Sequence, residues 1–269
     1  MVRKAISPLA GFFVAVCLVP WPASAIDLLA HRAGYTMSLA NASAASGITA
    51  AKGVMNYRFA KGCDGWTVEN RTLLRIGYEE GGQVDTVWTF ASWESLDGLV
   101  FRFRARFDEQ GRTVEKISGY ARLDDKGAGG KAILSDPEEI QIELPAGTVF
   151  PTEHIVALVA AAEKGSTVFA KIVFDGASLD NPYLVNAILK PLPVEEQEEV
   201  AKATSLQPTP VWWTRLAFFP LRSRLETPEF ELAGRYRPDG VADRIFQQFD
   251  DFTLELRLSE IEILPSPDC

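Results

Sequence analysis

Residues that carry catalytic and metal chemistry are scarce in this chain. Of its 269 residues only two are histidine and three are cysteine. Neither His31 nor His154 is spaced from another histidine, a cysteine or clustered acids in the way that metal ligands are. The chain also has no Gly-x-Ser-x-Gly nucleophile motif and no glycine-rich phosphate-binding loop. The sequence therefore predicts a protein that is not an enzyme, with no catalytic residues, no metal and no cofactor.

Long apolar runs are also missing, except at the amino terminus. There Arg3 and Lys4 precede an apolar core, Leu9 to Val19, and Ala23-Ser24-Ala25 supplies small residues at a cleavage position. This order is typical of a secretory signal peptide, and we predict that residues 1–25 are removed on export.

Two other interpretations of this segment have less support. The apolar run is shorter than the ~20 residues that span a bilayer, and Pro20 interrupts its end, which argues against a retained anchor. Cys17 follows Val16, whereas a lipid-modified cysteine requires a small residue before it. We therefore predict one mature domain, residues 26–269, in the periplasm, with no transmembrane segment after cleavage.

Negative charge dominates the predicted mature chain. All 36 acidic residues remain after residue 25, but Arg3 and Lys4 are lost from the 27 basic ones, so 36 acids face 25 bases and the net charge is about −11. A chain of this charge is a poor partner for nucleic acid, and an anionic membrane surface would repel the molecule as a whole.

The cysteines agree with export. Cys17 belongs to the predicted signal peptide, which leaves Cys63 and Cys269. Two thiols in an exported protein usually form one disulfide, here between residues 206 positions apart; the alternative is a pair of free or intermolecular thiols.

The chain from Tyr35 to about residue 144 shows period-two alternation between turns rich in glycine and aspartate, which predicts antiparallel strands. The clearest strand is Val100 to Phe107. Its apolar set is Phe101, Phe103, Ala105 and Phe107, and its basic set is Arg102, Arg104 and Arg106. One face of this strand is therefore expected to be buried and the other exposed to water.

The arginine row allows two interpretations. It could bind an anion, or it could form the salt-bridged outer face of a sheet, with acids on adjacent strands. Asp85 and Glu115 are the candidate partners, and cross-strand pairing of this kind is the commoner arrangement.

One helix is predicted between the strands, from Thr152 to Lys164. Thr152 is expected to cap it, and Gly165 to end it. Its middle is apolar nearly all round, so we expect it to be buried against the concave side of the sheet. The predicted fold is mainly β: a long antiparallel sheet, curled or half open as a barrel, with one buried helix.

Large aromatic side chains are more numerous than a minimal sheet face requires. The best-defined strands contribute five of them, and the rest of the set is Trp66, Trp93, Trp212, Trp213, Phe218 and Phe219. The five are Trp88, Phe90, Phe101, Phe103 and Phe107. Core packing accounts for most such residues. The alternative is an incompletely filled concavity, for which these five residues form a candidate apolar binding surface that receives a lipid, a lipidated chain or an apolar segment of a partner.

Several short motifs resemble those of a family of exported Gram-negative envelope proteins, the envelope integrity protein B family, formerly a domain of unknown function. The matching residues are His31-Arg32-Ala33 with Tyr35, Gly62-Cys63-Asp64-Gly65-Trp66, Phe150-Pro151-Thr152 with His154, Phe174-Asp175-Gly176, and Cys269. They extend over nearly the whole predicted mature chain.

The resemblance implies a periplasmic domain in which a long antiparallel sheet winds into a β-spiral, similar in shape to periplasmic lipoprotein carriers. It also implies a disulfide that maps onto Cys63 and Cys269, and a non-enzymatic role in envelope integrity and envelope stress. Shape alone does not imply carrier activity.

Two functions follow from these observations. The first is a non-enzymatic periplasmic protein that supports envelope integrity by binding a partner protein or an apolar ligand. The second is a periplasmic carrier of lipid or lipoprotein. An envelope hydrolase is disfavoured because no nucleophile and base can be named.

Overall fold

Fifteen strands and two α-helices make up the molecule in a computed structural model that describes residues 26–222 and 227–269. The strands are β1 (His31–Ala42), β2 (Ile48–Lys61), β3 (Gly65–Tyr78), β4 (Gly82–Ser95), β5 (Val100–Glu109), β6 (Arg112–Leu123), β7 (Gly130–Asp136), β8 (Ile140–Leu144), β9 (Thr148–Val149), β10 (Val168–Val173), β11 (Tyr183–Pro191), β12 (Trp212–Pro220), β13 (Phe230–Tyr236), β14 (Ala242–Gln248) and β15 (Phe252–Ile263). The helices are α1 (Pro151–Glu163) and α2 (Val194–Thr204). The predicted signal peptide, residues 1–25, lies outside the described residues.

All fifteen strands belong to one sheet, whose order is β8-β7-β6-β5-β4-β3-β2-β1-β15-β14-β13-β12-β11-β10-β9. Every neighbouring pair is antiparallel except β9 and β10, which are joined through α1 and run parallel. The edges of the sheet, β8 and β9, are consecutive in the chain and are separated by residues 145–147. Because so short a segment spans no more than about 15 Å, the sheet must curl until its two edges almost meet. The prediction of a curled, mainly antiparallel β-sheet is confirmed.

The first and last strands are neighbours in the middle of the sheet. His31 on β1 pairs with Ile263 on β15, and on its other side with Phe59 on β2. The sheet therefore brings the two ends of the described chain together without help from a covalent bond.

Helix α1 lies inside the curled sheet. Leu158 and Ala162 pack in one cluster with Val185 of β11 and Phe218 of β12, and Phe218 also faces the interior cavity described below. The expected burial of this helix against the concave side is therefore found. Its predicted capping is wrong, however, because the N-cap residue is Phe150, which supplies no side-chain hydrogen bond.

Helix α2 packs on the opposite, outer face of the sheet. Its buried Val200 forms a small cluster with Leu192, Val211 and Trp213. Glu199 on its exposed side accepts a hydrogen bond from Arg235 of β13 at 3.2 Å.

The arginine row of β5 lies on the outer face, as the alternation predicts, but without the expected partners. Asp85 pairs with Arg75 instead, and Glu115 lies on the other face, in the cavity lining. Arg106 pairs with Asp108 of its own strand at 2.8 Å. The prediction that this arginine row forms salt bridges with Asp85 and Glu115 is therefore wrong.

Candidate functional site

The interior of the sheet is filled at one end. Phe101 and Phe103 of β5 have 0% and 5% of their surface exposed, and Phe150 and Phe174 from outside β5 cover them. Phe150 stacks on Phe101 with ring centroids 5.2 Å apart, and Phe174 meets Phe103 edge to face at 5.4 Å. This group, with its buried neighbours on β6, β7 and β8, is called the filled end below.

A glycine permits part of this packing. Gly176, two residues after Phe174, has a φ angle of +66°, a backbone conformation that residues other than glycine rarely adopt. A Cβ atom at this position would lie 2.3 Å from the Phe103 ring. The Phe174-Asp175-Gly176 motif thus lets a loop lie directly on the aromatic core.

A buried carboxylate closes the filled end. Glu94 of β4 accepts hydrogen bonds from the backbone N–H groups of Thr152 and Glu153, at 2.7 and 3.0 Å. It therefore caps α1 from another element and opposes the positive end of the helix dipole. Burial raises the pKa of Glu94 to about 7, against the lowering effect of these two hydrogen bonds.

The two histidines are both buried but have different surroundings. His31 lies near the rings of Tyr57 and Phe59, and its Nδ1 is 2.7 Å from the Leu29 carbonyl oxygen. His154 of α1 lies near Phe169, and its Nε2 has no hydrogen-bond partner within the described chain. Burial lowers the pKa of both, that of His154 to about 4. Both are consistent with structural roles as neutral side chains.

The disulfide belongs to the same end. Cys63 lies in the turn between β2 and β3 and is bonded to Cys269, with Cα atoms 5.7 Å apart. The backbone N–H of Leu96 donates to the Asp64 carbonyl in the same turn at 3.1 Å. Since β1 and β15 already pair, the disulfide fixes the last residues of the chain over this turn rather than drawing the ends of the sheet together.

The other end of the interior is open. A cavity of about 510 Å³ lies between the two halves of the curled sheet. Its apolar lining is Met37, Leu74, Trp88, Phe107, Phe218, Phe230, Leu232, Phe249 and Leu254. The rings of Phe218 and Phe230 stack at 4.1 Å on one wall, and Trp88 and Phe107 form a cross-strand pair on the opposite wall. This space is called the central cavity below.

A few polar groups lie beside the aromatic walls. Asp175 lines the central cavity and accepts hydrogen bonds from the Asn181 side chain and the Ala177 backbone N–H. Burial raises the pKa of Asp175. Nearby, the Tyr183 hydroxyl is 3.1 Å from the Glu229 carboxylate, and burial raises the pKa of Glu229 as well. The arrangement is a mostly apolar cavity with a small acidic border.

The structure divides the five residues of the predicted binding surface. Trp88 and Phe107 line the central cavity. Phe101 and Phe103 are core residues of the filled end, and Phe90 packs against that core. The prediction is therefore corrected: of the five residues only Trp88 and Phe107 face the central cavity. Phe150 and Phe174, which are distant in sequence, cover Phe101 and Phe103.

The predicted binding surface did not include the opposite wall, although Phe218 belongs to the surplus aromatic residues of the sequence. Phe218, Phe230 and Leu232 come from β12 and β13, which pair with each other and face Trp88 only after the sheet has curled. Alternation along Trp212–Pro220 signalled an inward-facing Phe218. Nothing local indicated that space would remain in front of it.

A curled antiparallel sheet with an internal helix, one filled end and one apolar cavity defines a barrel-like β-sheet protein. The family model described as EipB-like matches residues 22–265, and the chain belongs to this family. The family resemblance of the sequence motifs is thereby confirmed. No helix among the described residues combines the length and the apolar character needed to cross a membrane.

Two relatives agree with this assignment. The chain is 28% identical over 249 residues to the cell envelope integrity protein EipB of Brucella abortus strain 2308, a match that covers 90% of this chain and 86% of the relative. The fold of this chain is similar to that in the crystal structure of a β-barrel-like protein of the domain of unknown function DUF1849 from Brucella abortus, with a TM-score of 0.79 and 26% sequence identity. That match covers 90% of this chain and 100% of the other.

Proposed function

We propose that this protein supports the integrity of the cell envelope from the periplasm, without catalysing a reaction, by holding an apolar ligand or an apolar segment of a partner protein in the central cavity. The family membership and the name of the Brucella abortus relative support the envelope role. The central cavity supports the proposed binding role.

The size and lining of the cavity support this proposal. Its volume of about 510 Å³ is within the range of ~300–1,000 Å³ that is usual for small-molecule sites. Burial of apolar surface there gains about 25 cal/mol for each Å² removed from water. Trp88 and Phe218 provide aromatic walls on both sides, and Asp175 and Glu115 place carboxyl groups at the border.

Those carboxyl groups also constrain the ligand. A fatty acid carboxylate would be repelled by Glu115 if its head group lay at that border, so a neutral head group or an uncharged part of a larger molecule fits better. A peptide segment carrying apolar side chains meets the same condition. A lipid or lipoprotein carrier remains the second candidate, favoured by the interior position of the cavity between two halves of a sheet.

Lipid analysis of the protein purified from periplasm tests the proposal. We expect an apolar molecule to co-purify with the unaltered chain and a neutral fluorescent acyl probe to displace it with saturable, one-to-one binding. Co-purified lipid would favour a lipid ligand, whereas cross-linking of one specific protein through Trp88 or Phe230 positions would favour a partner segment.

A matched pair of variants locates the binding. Thr72→Trp places a large ring in the central cavity, while Leu73→Trp places the same ring on the outer face of the same strand, because adjacent side chains on a strand point to opposite faces. Probe binding should be lost in Thr72→Trp and kept in Leu73→Trp. Absence of any apolar ligand, probe binding or cross-linked partner would refute the proposed function.

A further inference from the structure

A second concave surface lies on the outer face of the sheet, over strands β3 to β7. It is a groove of about 760 Å³. Three of its lining residues are arginines, Arg102, Arg104 and Arg122, and two others are the aromatic residues Trp93 and Tyr120. It lies on the opposite side of the sheet from the central cavity and is called the outer groove below.

Arg102 lies between the other two arginines and is close to each of them. Arg102 and Arg104 point to the same face of β5, two residues apart and therefore about 7 Å along the strand. Arg122 of β6 pairs with Val100 of β5, which places it diagonally beside Arg102. One anionic group of a ligand could therefore contact two guanidinium groups at once.

These arginines have no acidic partners. Among the described residues, no carboxylate lies within 4.0 Å of a guanidinium nitrogen of Arg102, Arg104 or Arg122, although most of the exposed arginines elsewhere on the sheet do form ion pairs. The one acid that lines the groove, Glu69, lies 3.9 Å from Arg58 on β2. A net-acidic protein thus keeps a concentrated positive charge in one concave place.

The remaining lining limits the type of anion. Arg102 lies over the Trp93 ring at 5.3 Å, which holds its guanidinium in position. Tyr120 is 50% exposed, and Ser135 adds a hydroxyl group. The hydroxyls of Thr67 and Ser118 already donate to the Ala60 carbonyl and to Asp136, so they offer a ligand only acceptor oxygens. Hydroxyls and an exposed aromatic ring suit a hydroxyl-rich body with a weakly apolar side, which is the character of a saccharide.

The charge of the protein and the size of the groove argue against other anions. An anionic bilayer would be repelled by the net negative charge of the molecule as a whole. Nucleic acid is disfavoured by the negative charge of the remaining surface. An inorganic anion would fill only a small part of about 760 Å³.

We propose that the outer groove binds a phosphorylated saccharide, whose phosphate groups are held by Arg102, Arg104 and Arg122. Arginine suits this task because its planar guanidinium donates two parallel hydrogen bonds to a phosphate. The proposal is independent of the central cavity, since the two sites lie on opposite faces of the sheet.

Calorimetric titration of the mature protein with glucose 1,6-bisphosphate tests this site. We expect saturable binding that weakens with rising salt, because the contacts are charged. The double variant Arg104→Gln/Arg122→Gln should bind about ten- to a hundredfold more weakly, as expected for the loss of hydrogen bonds to charged groups. Inorganic phosphate should bind more weakly than the bisphosphate.

A control with the same loss of charge is available. Arg75→Gln/Arg257→Gln removes two exposed arginines that already pair with Asp85 and Glu255, and it should leave the affinity unchanged. Equal weakening in both double variants, or no binding at all, would overturn the proposal. So would preferential binding of poly-glutamate or of phosphatidylglycerol vesicles, since either would assign the groove to an acidic peptide or to a membrane.

Localisation of the contact does not depend on the variants. The Nε–Hε resonances of Arg102 and Arg104 should shift in nuclear magnetic resonance spectra when glucose 1,6-bisphosphate is added to the unaltered protein. Shifts confined to other arginines would contradict the assignment even if the calorimetric titration showed binding.

Discussion

The two ends of the curled sheet share one strand, β5, and differ in what lies over it. At one end Phe101 and Phe103 are covered by Phe150 and Phe174. At the other end Phe107 faces the central cavity. All three phenylalanines follow the same alternation, so the strand itself does not decide which becomes core and which becomes a cavity wall.

The difference comes from the chain segments that flank α1. Phe150 directly precedes the helix, and Phe174 follows β10. Glu94 and the disulfide of Cys63 and Cys269 hold the same end. The filled end is thus held by these added groups, whereas no ring from the segments flanking α1 covers Phe107 among the described contacts.

The disulfide gives the largest expected effect on the filled end. Cys63→Ser should lower the free energy of unfolding by up to about 5 kcal/mol, because a closed loop of 206 residues no longer restricts the unfolded chain. Chemical denaturation measures this. Cys269→Ser and the double variant should match the single variant, and additive losses would show that the two cysteines act separately.

A matched pair of phenylalanine variants tests the comparison itself. Phe101→Ala should cost about 3–5 kcal/mol of unfolding free energy, since it opens a cavity in packed core. Phe107→Ala should cost about 1–2 kcal/mol, in the ordinary range for point mutations, because its ring already borders the central cavity, but it should weaken binding of an apolar probe. Equal losses of stability would mean that the two ends are packed alike.

The pH dependence of stability separates Glu94 from His154. The raised pKa of Glu94, about 7 against an ordinary 4.5, makes the free energy of unfolding fall as pH rises from 4.5 to 7. The lowered pKa of His154, about 4 against 6.5, makes it rise from pH 4 to 6.5. The two slopes, each at most about 1.4 kcal/mol for each pH unit, oppose each other in the unaltered protein.

Substitution of Glu94 should therefore reveal the pH dependence that His154 causes, and substitution of His154 should reveal the pH dependence that Glu94 causes. Glu94→Gln should lose stability as pH falls from 6.5 to 4.5, and His154→Leu should lose stability as pH rises from 4.5 to 7. Thermal unfolding at four or five pH values across this range measures both. Parallel curves for the two variants would contradict the opposing assignments.

The smallest stability effect is expected at the border of the cavity. Phe249 is 42% exposed and stacks on Phe252 with centroids 4.9 Å apart. Phe249→Ser should lower the free energy of unfolding by only about 0.5–1.5 kcal/mol, the usual contribution of an aromatic pair, yet it should weaken probe binding several-fold. A large loss of stability would place Phe249 in the core instead.

Much of the fold was predictable from the sequence, because strand alternation and an apolar helix are local signals. The cap at Glu94 was not, since it appears in the sequence as one acid between Trp93 and Ser95. Glu94 is separated from Trp88 and Phe90 by an even number of residues, which places it on the same, inward face of β4. This spacing was the available signal, because a buried acid without a local hydrogen-bond partner requires a partner from a distant part of the chain.

The candidate site was less predictable for the same physical reason. Trp88 and Phe107 were identified, but their separation from Phe101 and Phe103 depends on where Phe150 and Phe174 pack in space. The opposite wall, with Phe218 and Phe230, depends on the curling of the sheet, which no short segment encodes.

Crystallography of the mature protein with a bromine-labelled neutral acyl chain tests most directly whether the open end holds an apolar ligand. The account predicts one anomalous bromine peak in the central cavity, between Trp88 and Phe218, and none among Phe101, Phe150 and Phe174. A peak confined to the outer face of the sheet, or no peak at saturating ligand, would contradict it.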